Sequence, residues 1–459
     1  MYLFRKGLSL FIAMVMLVAM VPAMTIGVAA QDATEEEQMK SIRQKLTTYF
    51  LERDTFDDGA TAGKCYSSRA GEYFAIQQTD GSWADVDYYC TETAANGKTW
   101  EPYLALDRMQ AMAMAYADPN GTWYHDAAML QGVENAFSYW ASIRDANPEK
   151  DDYEGPWSVN WWENGNGVQL RFSRIGVVLK DVLSDKATGI ILRKLDVNGS
   201  TGSGQNALWC TQNALYRALI AEDAAQFKKV VTENLSVNLR RGGLTDEAIQ
   251  VDNTFHCHGN LLYTNGYGAS LFRDMSFWID TLAGTDFALP QSVIDLMAEY
   301  MLDGTRWMIR GDLLEIYLGY TACVKPGYVG RYVAPLERMI KNDPTHAAEY
   351  QKVLDNILGK RADSGVNGNN YMWTSALMSQ MREDYGVNVR MIHKNMKPSE
   401  FRATWPDTDY GNLIFWTVSG ANTVVVDGDE YNSVYASYDW RHVPGTTAPY
   451  AIASTYGLN

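Results

Sequence analysis

Between about residues 34 and 360 the apolar residues recur at helical spacing, and after Gly365-Val366-Asn367-Gly368-Asn369-Asn370 that period is gone. Leu106, Met109, Ala113 and Tyr116 step along one helical face, as do Leu130, Val133, Phe137 and Trp140. Further helices read as 166–183, 206–221, 224–237, 267–283, 290–309 and 346–358, with Pro290 where a first-turn proline is tolerated. Asp118-Pro119-Asn120-Gly121 and Asn198-Gly199-Ser200-Thr201-Gly202 read as linkers. Helix after helix on this scale implies an all-α toroid or solenoid. No strict internal repeat is visible, so a closed α/α toroid is the better reading. Beyond residue 370, Tyr371–Ser379, Val387–His393, Leu413–Val418 and Thr423–Val426 are short β-branched and aromatic runs between polar turns. The expected fold is therefore α+β and multidomain: an α/α toroid at 31–365, then an antiparallel β-sandwich at 366–459 that looks incomplete at Asn459.

Residues 1–30 stand apart. Arg5 and Lys6 precede an apolar run from Leu8 to about Val21, and Val28-Ala29-Ala30 offers a small-residue cleavage site, the order of a secretory signal peptide. An uncleaved membrane anchor is the competing reading. No later stretch has the roughly 18 uninterrupted apolar residues of a membrane span, so the mature chain is expected to be secreted and off the membrane. Without Arg5 and Lys6 the balance is 37 basic against 55 acidic residues, or −18, which disfavours nucleic acid and anionic membranes as partners. Of the five cysteines, Cys65 and Cys90 could pair in an exported chain, the odd count leaves a thiol over, and no CxxC is present. Nothing points to a nucleotide, flavin or haem, because neither a Walker A loop nor a dinucleotide fingerprint occurs in a strand–helix context. A monomer is expected.

Three stretches carry chemistry. In Asp252-Asn253-Thr254-Phe255-His256-Cys257-His258-Gly259, followed by Asn265-Gly266-Tyr267-Gly268, lie two of only six histidines. His256 and His258 have ligand chemistry, but no third ligand is spaced to make a zinc site, and a core histidine satisfied by hydrogen bonds competes with that reading. In Asn160-Trp161-Trp162-Glu163-Asn164-Gly165 adjacent tryptophans sit off helical core spacing. Exposed, they would stack on sugar rings; buried, they would be ordinary filling. Thr201-Gly202-Ser203-Gly204-Gln205-Asn206 is a glycine-bearing loop running into a helix, where Asn206 could simply be a cap.

Together these stretches resemble polysaccharide lyase family 8, the hyaluronate, chondroitin AC and xanthan lyases. Members carry Asn-Trp-Trp, then Thr-Gly-x-Asn, then His-Gly with Tyr-Gly nine residues on. Here His258 and Tyr267 are nine apart, Asn206 lies ten before the Tyr216 of Tyr-Arg-Ala-Leu, and the Thr-Gly loop is two residues longer. Val443-Pro444-Gly445-Thr446-Thr447 is similar to the family's Pro-Gly-Thr-Thr. The resemblance implies an α/α toroid with a β domain and cleavage of an acidic, uronate-containing polysaccharide by β-elimination. It implies Asn206 neutralising the uronate carboxylate, Tyr267 as general acid and favoured base, and His258 as alternative base or carboxylate holder. A tyrosine hydroxyl ordinarily titrates at about 10, so service as a base requires nearby cations. Substrate binding falls to Asn160, Trp161, Trp162, Arg310, Lys325 and Arg331, and no metal or other cofactor is needed.

The chain also departs from the pattern. The family's Arg-x-x-x-Arg falls on Thr321 and Lys325, with Arg331 six residues further on as a substitute, and Asn-Gly-Glu-Asn has no counterpart near Asp407, Asp409 and Tyr410. Lysine lacks the planar donor fork of arginine. Arg171, Arg174, Arg217, Arg240 and Arg241 are further cations available to a cleft. Two other functions stay open. An inverting glycoside hydrolase on the toroid would need carboxylates about 6.5–9.5 Å apart, with Glu163 and Asp252 as candidates. A non-catalytic glycan-binding relative would keep the cleft and lose the chemistry.

Overall fold

The computed structural model describes residues 33–52, 67–91, 100–144, 154–199, 203–236, 242–243, 246–314, 328–391 and 422–431. The candidate leader at 1–30, Cys65, Arg240, Arg241, Thr321, Lys325, the region at 407–410, the run Leu413–Val418 and the motif at 443–447 lie outside the described residues.

Twelve α-helices follow one another among the described residues: α1 (Glu35–Leu51), α2 (Ala70–Ala75), α3 (Tyr103–Ala117), α4 (Ala127–Ser142), α5 (Val168–Leu179), α6 (Asp185–Lys194), α7 (Gly204–Ala221), α8 (Ala224–Val230), α9 (Ala269–Leu282), α10 (Gln291–Glu299), α11 (Val333–Asn342) and α12 (Ala347–Ile357). Their starts follow from local chemistry. Thr34 and Glu37 form a reciprocal capping box on α1, and the Asp126 and Ser184 side chains accept the N3 amides of α4 and α6, satisfying donors that a helix start leaves open.

The inner helices pack in series, α3 on α5, α5 on α7 and α7 on α9, and α1 spans the series, touching all four. Helices α4, α6, α8 and α11 form a second layer against α3, α5, α7 and α9 in turn. This is the α/α toroid. Its core is continuous and rich in large aromatics, with Trp100, Trp140, Trp278, Tyr300 and Tyr332 at 0–1% exposure. Among the described residues four π-helical turns interrupt the scheme, at Glu163–Gly167, Val231–Leu235, Thr264–Gly268 and Tyr300–Gly304. Such turns hold one extra residue and occur frequently at functional sites. None of the described helices is long and apolar enough to cross a membrane.

Two short hairpins, β1 (His256–Cys257) with β2 (Leu261–Leu262) and β3 (Ile309–Arg310) with β4 (Leu313–Leu314), precede an antiparallel sheet of β5 (Gly368–Met372), β6 (Leu377–Met381), β7 (Gly386–Arg390) and β8 (Asn422–Val425) in sequential order. Tyr371–Ser379, expected as one strand, is a hairpin: Met372 pairs with Leu377, and Ala376 turns the chain at φ +48°. The intervening Trp373-Thr374-Ser375-Ala376 has neither glycine nor proline, so nothing in the sequence punctuates it.

That turn docks on the toroid. Asp252 Oδ2 accepts the Thr374 amide and hydroxyl, both at 2.7 Å, and Ser375 Oγ lies 2.9 Å from Thr254 Oγ1 and 2.8 Å from His256 Nε2. Beside it Arg310, 3% exposed, donates to three carbonyls of the sheet domain: Val426 (2.5 Å), Arg382 (3.0 Å) and Glu383 (3.1 Å). The expectation that Arg310 binds substrate is corrected by this arrangement. Its guanidinium is buried and spent on backbone acceptors that join the two domains.

Candidate active site

The three motif stretches sit at the N-terminal ends of three neighbouring inner helices. Asn160-Trp161-Trp162 and the π-turn Glu163–Gly167 run into α5, Asn206 lies in the first turn of α7, and Tyr267 ends in the π-turn Thr264–Gly268 that runs into α9. Ring contacts draw these ends together. Trp162 packs edge-on against Trp209 of α7, with centroids 5.4 Å apart, and Trp209 packs against Tyr267 at 5.7 Å. Tyr267 in turn meets His258 at 5.1 Å and Tyr263 at 5.0 Å. Asn206 is three residues before Trp209, hence on the same face of α7. One end of its amide, Oδ1, is buried without a hydrogen-bond partner.

Glycine makes the close approaches possible. A Cβ on Gly268 would lie 2.4 Å from the Tyr300 hydroxyl and 2.9 Å from Phe255 Cβ, and one on Gly167 would lie 1.8 Å from the Tyr103 hydroxyl. Each glycine ends a π-turn, so neither turn could be seated with a larger residue there.

His258 is held in an uncommon backbone state. Its φ is +54° and that of Gly259 is +87°, two consecutive left-handed residues, of which only the glycine adopts this region without strain. Glu247 holds the bend: its Oε1 accepts the Gly259 amide at 3.0 Å. The backbone oxygen of Glu247 also lies 3.0 Å from where a Cβ on Gly204 would sit, at the start of α7. Glu247 therefore bridges the His258 loop and the Asn206 helix. Strain of about 1–3 kcal/mol kept at one residue is characteristic of functional positions.

The adjacent or near-adjacent candidates part company. Trp161 is 60% exposed while Trp162 is 7% exposed, so one is surface and the other is the packing link to Trp209. Asn160 accepts the Trp162 amide at 3.0 Å through Oδ1, which shapes the turn that presents Trp161. His258 faces Tyr267, whereas His256, fully buried, faces Ser375 in the domain joint. Arg331 donates to the Asn265 carbonyl at 3.1 Å, which places it on the π-turn that carries Tyr267. Arg310 is elsewhere, as described. Among the described residues no group of three or more His, Cys, Asp or Glu side chains is disposed to hold a metal.

The carboxylates proposed for hydrolysis do not join this group. Glu163 is 3% exposed and hydrogen-bonded to Ser158 Oγ, with burial raising its pKa against the opposing pull of that bond and of Arg171. Asp252 is engaged in the joint. Of the remaining cations, Arg171 is buried, paired with Asp107 at 2.8 Å and stacked 4.0 Å from the Tyr103 ring centroid. Trp209, Tyr263 and Glu247 do not stand out in the sequence. Trp209 carries a usable signal, its helical spacing from Asn206; Glu247 carries none.

Residues 67–316 match the family model described as "Polysaccharide lyase family 8, N terminal alpha-helical domain", and 367–456 match "Polysaccharide lyase family 8, super-sandwich domain". The chain is 24% identical over 389 residues to a chondroitinase-AC of Pedobacter heparinus, covering 81% of this chain and 51% of that protein. It is 22% identical over 204 residues to a hyaluronate lyase of Thermasporomyces composti, covering 42% of this chain and 24% of that one. The chain thus spans about half, or less, of the length of these relatives. Its fold is similar to a solved chondroitinase AC lyase (TM-score 0.71, 20% identity, 90% of this chain and 57% of that one). It is also similar to a Paenibacillus xanthan lyase (TM-score 0.67, 14% identity, 90% and 42%).

Proposed function

The chain belongs to polysaccharide lyase family 8, and from that premise we propose that it cleaves a uronate-containing acidic polysaccharide of the hyaluronan, chondroitin or xanthan kind by β-elimination. What supports the reading is Tyr267 in ring contact with both His258 and Trp209, with Asn206 one helical turn before Trp209 at the start of α7. Helix N-termini present partial positive charge and open N–H groups. Several of them at one end of the toroid offset, locally, the repulsion of an acidic chain for an anionic polymer. Screening within about 8 Å at physiological salt weakens the long-range part of that repulsion.

The steps follow from the residue types. A base removes the C5 proton of the uronate, its electron pair forms the C4–C5 double bond, and the C4–O4 bond breaks with O4 leaving protonated. In this reading Asn206 bonds the carboxylate where negative charge builds, Tyr267 takes the C5 proton and returns a proton to O4, and His258 orients the tyrosine and the carboxylate. Arg331, on the turn of Tyr267, supplies positive charge that favours the phenolate. Trp161, with Asn160 shaping its turn, offers a flat face to a sugar ring, and Lys325 remains a proposed carboxylate contact. We further propose export through the leader at 1–30, with the toroid spanning 31–365 and the sandwich 366–459, and a monomer acting without a cofactor.

The test is near-ultraviolet absorbance on incubation with hyaluronan, chondroitin, xanthan and alginate, beside Tyr267→Phe. Elimination leaves an absorbing unsaturated uronide and hydrolysis does not. A rise with one polymer, lost in the variant, is expected. Binding without any rise would replace the lyase by a glycan-binding relative, the reading that Thr321 and Lys325 in place of the arginine pair would then explain.

A further inference from the structure

Beside Trp209 lies a cavity of ≈ 50 Å³ lined from four of the five inner helices: α1, α5, α7 and α9. On this measure a water needs about 10–15 Å³, so the space suits a few waters or one compact ion. Trp209 is shared between the two regions, with its ring against Tyr267 and its edge on the cavity.

The chemistry of the lining is one-sided. Arg174 and Arg273 both border the cavity, and among the described residues the carboxylate of Asp274 is the only one that does. That carboxylate is already committed: Oδ2 accepts Gln205 Nε2 at 2.7 Å and Trp209 Nε1 at 3.1 Å, and Oδ1 accepts Arg273 Nε at 2.7 Å. Gln212, 7% exposed and also on the lining, buries its Nε2 with no hydrogen-bond partner. Tyr216 borders the same space, and burial raises its pKa despite the Arg174 charge, so its hydroxyl keeps its proton. The lining thus combines two guanidiniums with an amide donor left without an acceptor. A buried donor without a partner is costly, of the order of 1–3 kcal/mol, and an acceptor guest relieves it.

We infer that this cavity is a binding site for a small oxyanion, with Gln212, Arg174 and Arg273 as its donors. The inference rests on the lining alone and stands whether or not the chain is a lyase. Two sources share the chemistry: an inorganic oxyanion such as sulfate or phosphate, and a small carboxylate such as formate. Thermal unfolding of the full chain, titrated at constant ionic strength with sodium sulfate, sodium phosphate or sodium formate against sodium chloride, distinguishes them. A saturable rise in Tm with sulfate or phosphate identifies the inorganic ion; a rise with formate alone identifies the carboxylate. Gln212→Leu, similar in volume and losing no existing bond, should weaken the response about tenfold, the worth of one hydrogen bond to a charged group. Gln212→Glu places a carboxylate among the donors, so it should raise Tm without added anion and abolish the response. Selenate soaked into crystals should give an anomalous peak within hydrogen-bond reach of Gln212. No saturable response in the unmodified chain, an unchanged response in Gln212→Leu, or a cavity holding only water in selenate would overturn the inference.

Discussion

The Tyr267 group and the joint between toroid and sheet draw on the same short stretches of chain and treat their polar residues in opposite ways. In the joint, Asp252, Thr254, His256 and Arg310 reach partners across the domain boundary at 2.5–2.9 Å for their principal contacts, and Arg310 and His256 are buried. At the Tyr267 group the amide of Asn206 keeps an end without a partner, His258 is strained, and Trp161 stands in solvent. The joint commits its polar side chains to partners across the boundary, while the Tyr267 group keeps the Asn206 amide and the Trp161 face for something that is not part of the chain. The lesson is that residue type and motif membership do not separate structure from chemistry, but the surroundings each side chain reaches do.

The histidines offer the sharpest way to break this comparison. His258→Ala should lower turnover by about 10²–10⁴-fold, the range for losing an acid–base group, with a urea midpoint close to that of the parent. His256→Ala should do the reverse, costing about 1–3 kcal/mol through the lost Ser375 bond while the folded fraction keeps its turnover. Equal effects from the two would erase the distinction drawn here.

The tryptophans come next. Trp162→Ala removes the buried link to Trp209 and should cost about 3–5 kcal/mol in chemical denaturation. Trp161→Ala should change stability by less than about 0.5 kcal/mol, as exposed positions usually do, and raise KM several-fold. A smaller contrast is expected for the arginines. Arg310→Ala should lose about 2–4 kcal/mol with KM unchanged in the folded protein, since its donors bind carbonyls of the sheet domain. Arg331→Ala should instead act on kcat and on its pH profile.

The smallest effect concerns Glu163. Its folded pKa lies above the unfolded value of about 4.3, chiefly through burial. The folded state therefore holds the proton more tightly. Stability is greatest below the unfolded pKa and declines as pH rises through the folded pKa. Glu163→Gln keeps the shape and removes the titration, so the decline in stability as pH rises above the unfolded pKa should be shallower in the variant. A slope unchanged in the variant would assign it to other carboxylates.

Much of the helical body is legible because its apolar residues must face one core, and that requirement writes a 3.6-residue period into the chain. The positions of α7 and α9 can be read this way to within about two residues. The way α1 spans the inner helices cannot, because contacts such as α9 with α1 join segments far apart in sequence. The role of Arg310 is hidden for a related reason: its partners are backbone carbonyls at Arg382, Glu383 and Val426, and a carbonyl has no sequence signature. Trp161 and Trp162 are indistinguishable as letters, and only the direction of the turn separates them. Asn206, His258 and Tyr267 are found through their spacing, whereas Trp209, which draws their elements together, reads as one more apolar residue in a helix.

The π-turn before α9 has a consequence for how this arrangement can be lost. A helix advances about 100° per residue, and Thr264–Gly268 holds one residue more than an ordinary turn. Removing one residue between Thr264 and Gly266 would relax the turn to regular winding and swing the chain that precedes it, Tyr263 and the His258 loop included, by about that angle relative to Tyr267. The inward face of α9, set by residues after 268, would keep its phase and its packing. The place of the tyrosine relative to the histidine is thus encoded as a length of chain.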